Sequence, residues 1–301
     1  MRKITFILLI LLGLFLLSSV IAGIVSNKEI SLTERILVIP IEGVITYDSG
    51  SSGFLGFSSK SKLQNTIEEI NDANKDDNVK GVIFEINSPG GSVVASQELA
   101  NTIKSLKKPK YAVIKEVGAS GGYWAASATD KIYASELSVT GSIGVISSYL
   151  QFSGLFEKYG ITYERLVTGE YKDLGSPFKE LTNNERTKLQ AKLDRLHQYF
   201  VREVSINRNI PIEKVQELAT GEFYLGSEAK EFGLIDEFGD LNVAIKDMKL
   251  ELGSEEIEVE KYEEELSFFD LFSARTSYYF GKGVASGLLE FKSENNLKIS
   301  A

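Results

Sequence analysis

The chain opens on an almost unbroken apolar run. Residues 4–25 carry only Thr5, Ser18 and Ser19 as polar side chains. At about 1.5 Å per residue this length covers a hydrocarbon core of roughly 30 Å. Arg2 and Lys3 precede it and favour a cytoplasmic N-terminus with the remainder of the chain on the far side. Val20-Ile21-Ala22 resembles a small-residue cleavage site. The run exceeds the roughly 7–15 apolar residues of a signal peptide, so it reads as a retained single-pass transmembrane helix. Behind a polar spacer the pattern changes to short apolar runs alternating with helical periods. Residues 36–41 are β-branched and closed by Pro40, which predicts a buried strand. Leu63, Ile67 and Ile70 predict a helix over 63–73. A strand at 81–86, a helix at 93–106, a strand at 111–117, a helix at 119–127 and a short strand at 131–134 follow. Such alternation predicts parallel pairing and an α/β fold with helices covering the sheet.

Further on, Leu189, Leu193, Leu196, Phe200 and Val204 lie on one apolar face of a long charged helix at 183–207. Shorter helices are expected at 212–219, introduced by Pro211, and at 227–232, stopped by Gly233. Residues 48–61, rich in Ser and Gly but carrying Phe54, Leu55 and Phe57, read as a mobile surface loop. Residues 254–265 are dominated by Glu and read as solvated, and 268–291 mix aromatics with Gly and Ser.

Composition narrows the chemistry. The 301 residues include 33 Lys+Arg, 42 Asp+Glu, one His and no Cys, for a net charge of −9. Without cysteine there is no disulfide, no thiolate-held metal and no thiol nucleophile. One histidine rules out multi-His metal sites, and the acidic balance argues against a nucleic-acid surface. Hydroxyls, amines and carboxylates remain as the chemical groups.

Two glycine-rich turns each follow an expected strand. Asn87-Ser88-Pro89-Gly90-Gly91-Ser92 can turn tightly and aim backbone amides at an anion. It lacks the Gly-Lys-Ser/Thr of a phosphate loop, and by itself it also reads as a plain strand-to-helix turn. Gly118-Ala119-Ser120-Gly121-Gly122-Tyr123 sets a serine at an elbow, where amides of the following helix can stabilise an oxyanion. A serine nucleophile needs a base. The lone His197, amid Asp194, Arg195 and Gln198, reads as an ordinary helix histidine. A lysine can serve if its pKa falls from about 10.4 towards 7–8. Lys172, in Thr168-Gly169-Glu170-Tyr171-Lys172-Asp173, lies in a loop ending at Ser176-Pro177, and composition alone leaves it a loop lysine.

Those turns, together with Thr140-Gly141-Ser142-Ile143-Gly144 and Gly169-Glu170-Tyr171-Lys172-Asp173, resemble in residues and order the S49 family of Ser/Lys serine proteases, the signal peptide peptidase A (SppA) type. The resemblance runs from about Arg35 to Val243 and includes the anchor. It implies a ClpP/crotonase-like fold built of repeated ββα units. It implies Ser120 as nucleophile, Lys172 as general base, Ser142 as a hydroxyl on the lysine amine, and the amides of Gly91 and Gly121 as the oxyanion hole. The implied substrates are remnant signal peptides and other short or unfolded hydrophobic segments at the cell membrane, cut on its extracytoplasmic side. The length matches the single-repeat form, so a homo-oligomeric ring with shared active sites is expected. The organisation expected is an anchor over 1–30, a protease domain over 31–250 and an acidic and aromatic extension over 251–301. A catalytically silent crotonase-like scaffold is the competing reading. An acyl-CoA hydratase would need glutamates at the elbow, which residues 118–123 lack.

Overall fold

The computed structural model describes residues 10–15, 17–18, 33–47 and 61–262. The expectations for the loop at 48–60, the stretch at 268–291 and most of the apolar run at 4–25 lie outside these residues. Residues 10–15 and 17–18 are helical and exposed, and among the described residues no helix is long and apolar enough to cross a membrane.

In chain order the elements are β1 (Arg35–Glu42), α1 (Lys62–Lys75), β2 (Val79–Ser88), α2 (Val93–Ser105), β3 (Lys110–Ala119), α3 (Gly121–Ser127), β4 (Lys131–Ala134), β5 (Val139–Gly141) and α4 (Ser153–Lys158). There follow α5 (Asn183–Arg208), α6 (Ile212–Leu218), β6 (Phe223–Leu225), α7 (Gly226–Glu231), β7 (Glu237–Phe238), α8 (Leu241–Leu252) and β8 (Glu258–Lys261). The sheet runs β6-β5-β3-β2-β1-β8, parallel except for the antiparallel β5–β6 pair. One edge of β3 pairs twice, with β4 over Tyr111 to Ile114 and with β5 over Val117 to Ala119.

Period-two alternation divides the core between the two faces of the sheet. On β1, Leu37, Ile39 and Ile41 face the larger cluster, which holds Phe84, Ile86, Leu99, Ile103 and Trp124. Ile36 and Val38 face the smaller one, with Ile83, Val113 and Met248 of α8. Pro40 does not close β1, because it sits within the strand opposite Glu85. The β8 ladder ends at Val38, whose carbonyl accepts from the Tyr262 amide at 2.9 Å. Two residues later, the missing Pro40 N–H points where no further strand needs it. The Glu-rich stretch expected to be merely solvated supplies β8, which is exposed yet joined to β1. The sheet's last strand thus lies beyond residue 250.

Long helix α5 departs from its pattern. The spacing places its apolar face from Leu189 to Val204, but only Phe200, Val201 and Val204 over this stretch are buried, all near its C-terminal end. That end packs on α3 through a stacked Trp124–Phe200 pair at 4.7 Å. The other half of α5 stands clear of the core.

Candidate active site

The two glycine turns and the end of β5 meet at the carboxyl edge of the parallel strands, where α/β sheets hold their sites. The first turn is laced to the segment after β1. Ser88 Oγ donates to the Gly43 carbonyl at 2.6 Å and accepts from the Gly90 amide at 3.1 Å. The Ile45 amide donates to Gly90 O at 2.9 Å, and the Ser92 amide to Ile45 O at 2.9 Å. Asn87 Oδ1 accepts from the Val117 amide at 3.2 Å, which ties the turn to β3.

The helix expected from residue 119 begins at Gly121, because the chain reverses sharply at Ser120. Its φ of 52° and ψ of −120° lie in a region side chains avoid. Strain of this kind collects at functional elbows. The Ser120 amide donates to Gly141 O at 2.8 Å, and its carbonyl accepts from the Trp124 amide at 2.9 Å. Its Oγ, half-buried at the start of a wholly buried helix, has no hydrogen-bond partner among the described residues. Gly90, with φ of 95°, lies directly against this elbow. A Cβ there would come within 2.6 Å of Gly121 N and 3.0 Å of Ser120 Cβ. Both candidate oxyanion glycines, Gly91 and Gly121, are therefore at the Ser120 turn or in the turn packed on it.

Ser142 follows β5 as Ser120 follows β3, because Ala119 and Gly141 are register partners. It too has a positive φ, 50°. Its amide donates to Glu222 O at 2.8 Å and its Oγ to Gly221 O at 3.2 Å. Behind the elbow, the fully buried Tyr123 donates its Oη to Leu234 O at 2.9 Å, and burial pushes its pKa up. Arg208 braces the same region, binding Asp236 through two N–H groups at 2.9 and 2.8 Å.

Lys172 is elsewhere. It is exposed in a turn closed by its own amide on Gly169 O at 3.0 Å. Its Nζ has no hydrogen bond or ion pair with any described residue, Ser120 included. Tyr171 beside it accepts at Oη from Asn184 Nδ2 at 2.7 Å, so the turn rides on the first residues of α5. From Asn184 to Phe200 the helix advances roughly 24 Å, and its contacts with α3 come from Tyr199, Phe200 and Asn207. Ser120, Ser142, Gly91 and Gly121 come together within one chain, whereas Lys172 does not join them. His197 lies on α5 with Nε2 buried and without a hydrogen-bond partner. Among the described residues no three His, Cys, Asp or Glu gather to hold a metal ion. Arg165 and Asp173, two side chains that organise the Lys172 turn, escaped sequence reasoning. The signal available was an opposite-charge pair bracketing the lysine.

Comparison with known proteins adds to this geometry. The profile described as Peptidase family S49 matches residues 102–255, and that of an NfeD1b N-terminal domain matches residues 38–151. A protein of Methanocaldococcus jannaschii, provisionally named a protease, is 34% identical over 96% of this chain and 95% of its own length. Protease 4 of Haemophilus influenzae is 31% identical over 72% of this chain but only 35% of its own length. Among solved structures, a mutant form of a 1510-N membrane-bound stomatin-specific protease superposes with a TM-score of 0.50 at 16% identity. That match covers 77% of this chain and 99% of the other.

Proposed function

The chain belongs to peptidase family S49 and is a serine peptidase, and from that premise we propose that it cuts peptides with a Ser120/Lys172 dyad completed between neighbouring subunits. The observation that carries the reading is the Ser120 elbow, a strained turn with an unpartnered hydroxyl on which the Gly90-Gly91 turn packs. Lys172, in its uncharged form, takes the Ser120 proton as Oγ attacks the peptide carbonyl. The amides of Gly91 and Gly121 hold the oxyanion. Lys172 then passes its proton to the leaving amine, and water hydrolyses the acyl-enzyme. Ser142 orients the lysine amine. No step calls for a metal or cofactor.

Sharing the dyad follows from reach. A lysine side chain cannot close a gap set by most of α5, while a second copy can bring its own turn to the elbow. The segment between β5 and α5 exposes Ile146, Leu150, Leu155, Ile161 and Leu166, apolar groups that a neighbouring subunit would cover. A closed ring satisfies such head-to-tail contacts without growing filaments. The apolar run at 4–25 anchors a catalytic domain from residue 31 at the cell membrane, on the extracytoplasmic side. Its substrates there are remnant signal peptides and short or unfolded hydrophobic segments. The competing silent scaffold has no physical need for Ser120 and Lys172 together.

The test is complementation in the full-length chain. Ser120→Ala and Lys172→Arg should each abolish peptide hydrolysis, because a guanidinium keeps its proton at any usable pH. Ser142→Ala should weaken it less. Mixing the two inactive chains under subunit exchange should restore activity. Turnover by either single variant overturns the dyad, and no recovery despite proven exchange overturns sharing. A fluorophosphonate probe that fails to label wild-type Ser120 would favour the scaffold.

A further inference from the structure

We propose that Arg165 and Asp173 form a clamp that positions Lys172 for catalysis, an inference that rests on reading Lys172 as the general base. A base acts only if its nitrogen is held close to the productive geometry, and a lysine on a loose turn is poorly suited to that. The backbone bonds of this turn are all short-range, and glycines flank it. Gly169 and Gly175 flank it with φ of 88° and 83°, and neither has a neighbour within 4 Å of its would-be Cβ. Between them the turn has its own short-range bonds, Lys172 N to Gly169 O at 3.0 Å and Leu174 N to Tyr171 O at 3.2 Å.

Side chains supply what the backbone lacks. The Arg165 guanidinium grips Asp173 with two parallel hydrogen bonds, Nε to Oδ2 at 2.5 Å and Nη2 to Oδ1 at 2.8 Å. Its Nη2 also donates to the Glu170 carbonyl at 3.2 Å. One planar group therefore holds the chain two residues before Lys172 and one residue after it. A bidentate fork of this kind fixes orientation as well as distance. The clamp is in turn tied to α5. Lys179 lies 3.8 Å from Asp173 Oδ1 and pairs closely with Glu185, whose carboxylate caps the helix at the Thr182 amide at 3.0 Å. The Arg165 hydrogen bonds pull the Asp173 carboxyl down to about 2, so the clamp stays ionised wherever a lysine can act as a base.

The experiment compares kcat, KM and melting temperature of the full chain for Asp173→Asn, Arg165→Gln, the charge swap R165D/D173R and Lys172→Arg. The expected result is a roughly 10- to 100-fold loss of kcat in each single clamp variant, as for a misplacement near 1 Å. KM and the melting temperature should stay unchanged, and the swap should recover much of kcat. The clamp is overturned if Asp173→Asn and Arg165→Gln keep wild-type kcat while Lys172→Arg is inactive. It is also overturned if the swap restores the melting temperature without kcat, which would leave the pair a purely structural role. Activity in Lys172→Arg would instead refute the base itself, whatever the clamp variants do.

Discussion

Gly90→Ala probes the contact between the two glycine turns of the site. The new Cβ would lie 2.6 Å from Gly121 N and 3.0 Å from both Ala119 O and Ser120 Cβ, against 3.4 Å or more for ordinary contact. The two turns must separate by about 0.8 Å, and both are backbone, so no flexible side chain can absorb the shift. A side chain at φ of 95° adds conformational strain of roughly 1–2 kcal/mol. Overpacking contributes about 1–3 kcal/mol. Together these predict a fall in Tm on the order of 5–15 °C for a domain of this size. The larger effect is on kcat, since moving Gly121 relative to Ser120 displaces the amide proposed as an oxyanion donor. Misplacement near 1 Å predicts about a 100-fold loss. Peptide hydrolysis measured well below the melting point of the variant separates the two effects. Gly253→Ala is the control. It has a similar φ of 72° with nothing within 4 Å, so it should lose roughly 1 kcal/mol of stability and no activity. Wild-type kcat in folded Gly90→Ala would refute the idea that packing of the two turns sets the site.

Asp236→Ala should destabilise the chain by about 3–5 kcal/mol, because it strands an Arg208 side chain that is only 6% exposed; urea unfolding that shows less than about 1 kcal/mol would refute this. Glu85 lies between Lys261 at 2.8 Å and Lys115 at 3.3 Å. Burial pushes its carboxyl up, but hydrogen bonds and charge from the two lysines outweigh this and hold the pKa below the ordinary 4.5. With the folded pKa depressed, the contribution is complete above about pH 4.5 and disappears as the pH falls through the folded value. The stability gap between wild type and Glu85→Gln should therefore shrink on acidification below pH 4.5, and a gap independent of pH would contradict the assignment.

Elements that carry their own periodicity were legible in the chain. The strand at residues 131–134 agrees residue for residue with β4, and the cores of β1, β2, β3, α1 and α2 fall where their apolar spacing put them. The strands β5, β6 and β7 have two or three residues each, too few for a period of two to register. Strand β8 is exposed along its length, so only its pairing with β1 makes it a strand, and no local pattern reports a tertiary pairing. Ser120 and Gly121 were visible because glycines around a serine are a local signature. The elbow at Ser120 was legible from its glycines, but nothing in Ala-Ser-Gly reveals the positive φ that delays the helix to Gly121. The Arg165 contact to Asp173 spans eight positions across an irregular segment, beyond any helical or strand spacing. The uncovered face of α5 is a different case. Leucines at 189, 193 and 196 announce burial, and nothing in the pattern says whether the cover comes from the same molecule.

The length of α5 between the Lys172 turn and α3 has a kinetic consequence. With a shared dyad, a newly made subunit is latent, and no propeptide is needed to keep it so. On dilution, velocity would fall faster than the first power of enzyme concentration, as rings dissociate into halves of sites. Confinement to a surface by an N-terminal anchor would work in the opposite direction. Subunits restricted to two dimensions meet at a far higher effective concentration than the same number in solution. Specific activity would then report how densely the enzyme is packed as well as how much of it is present.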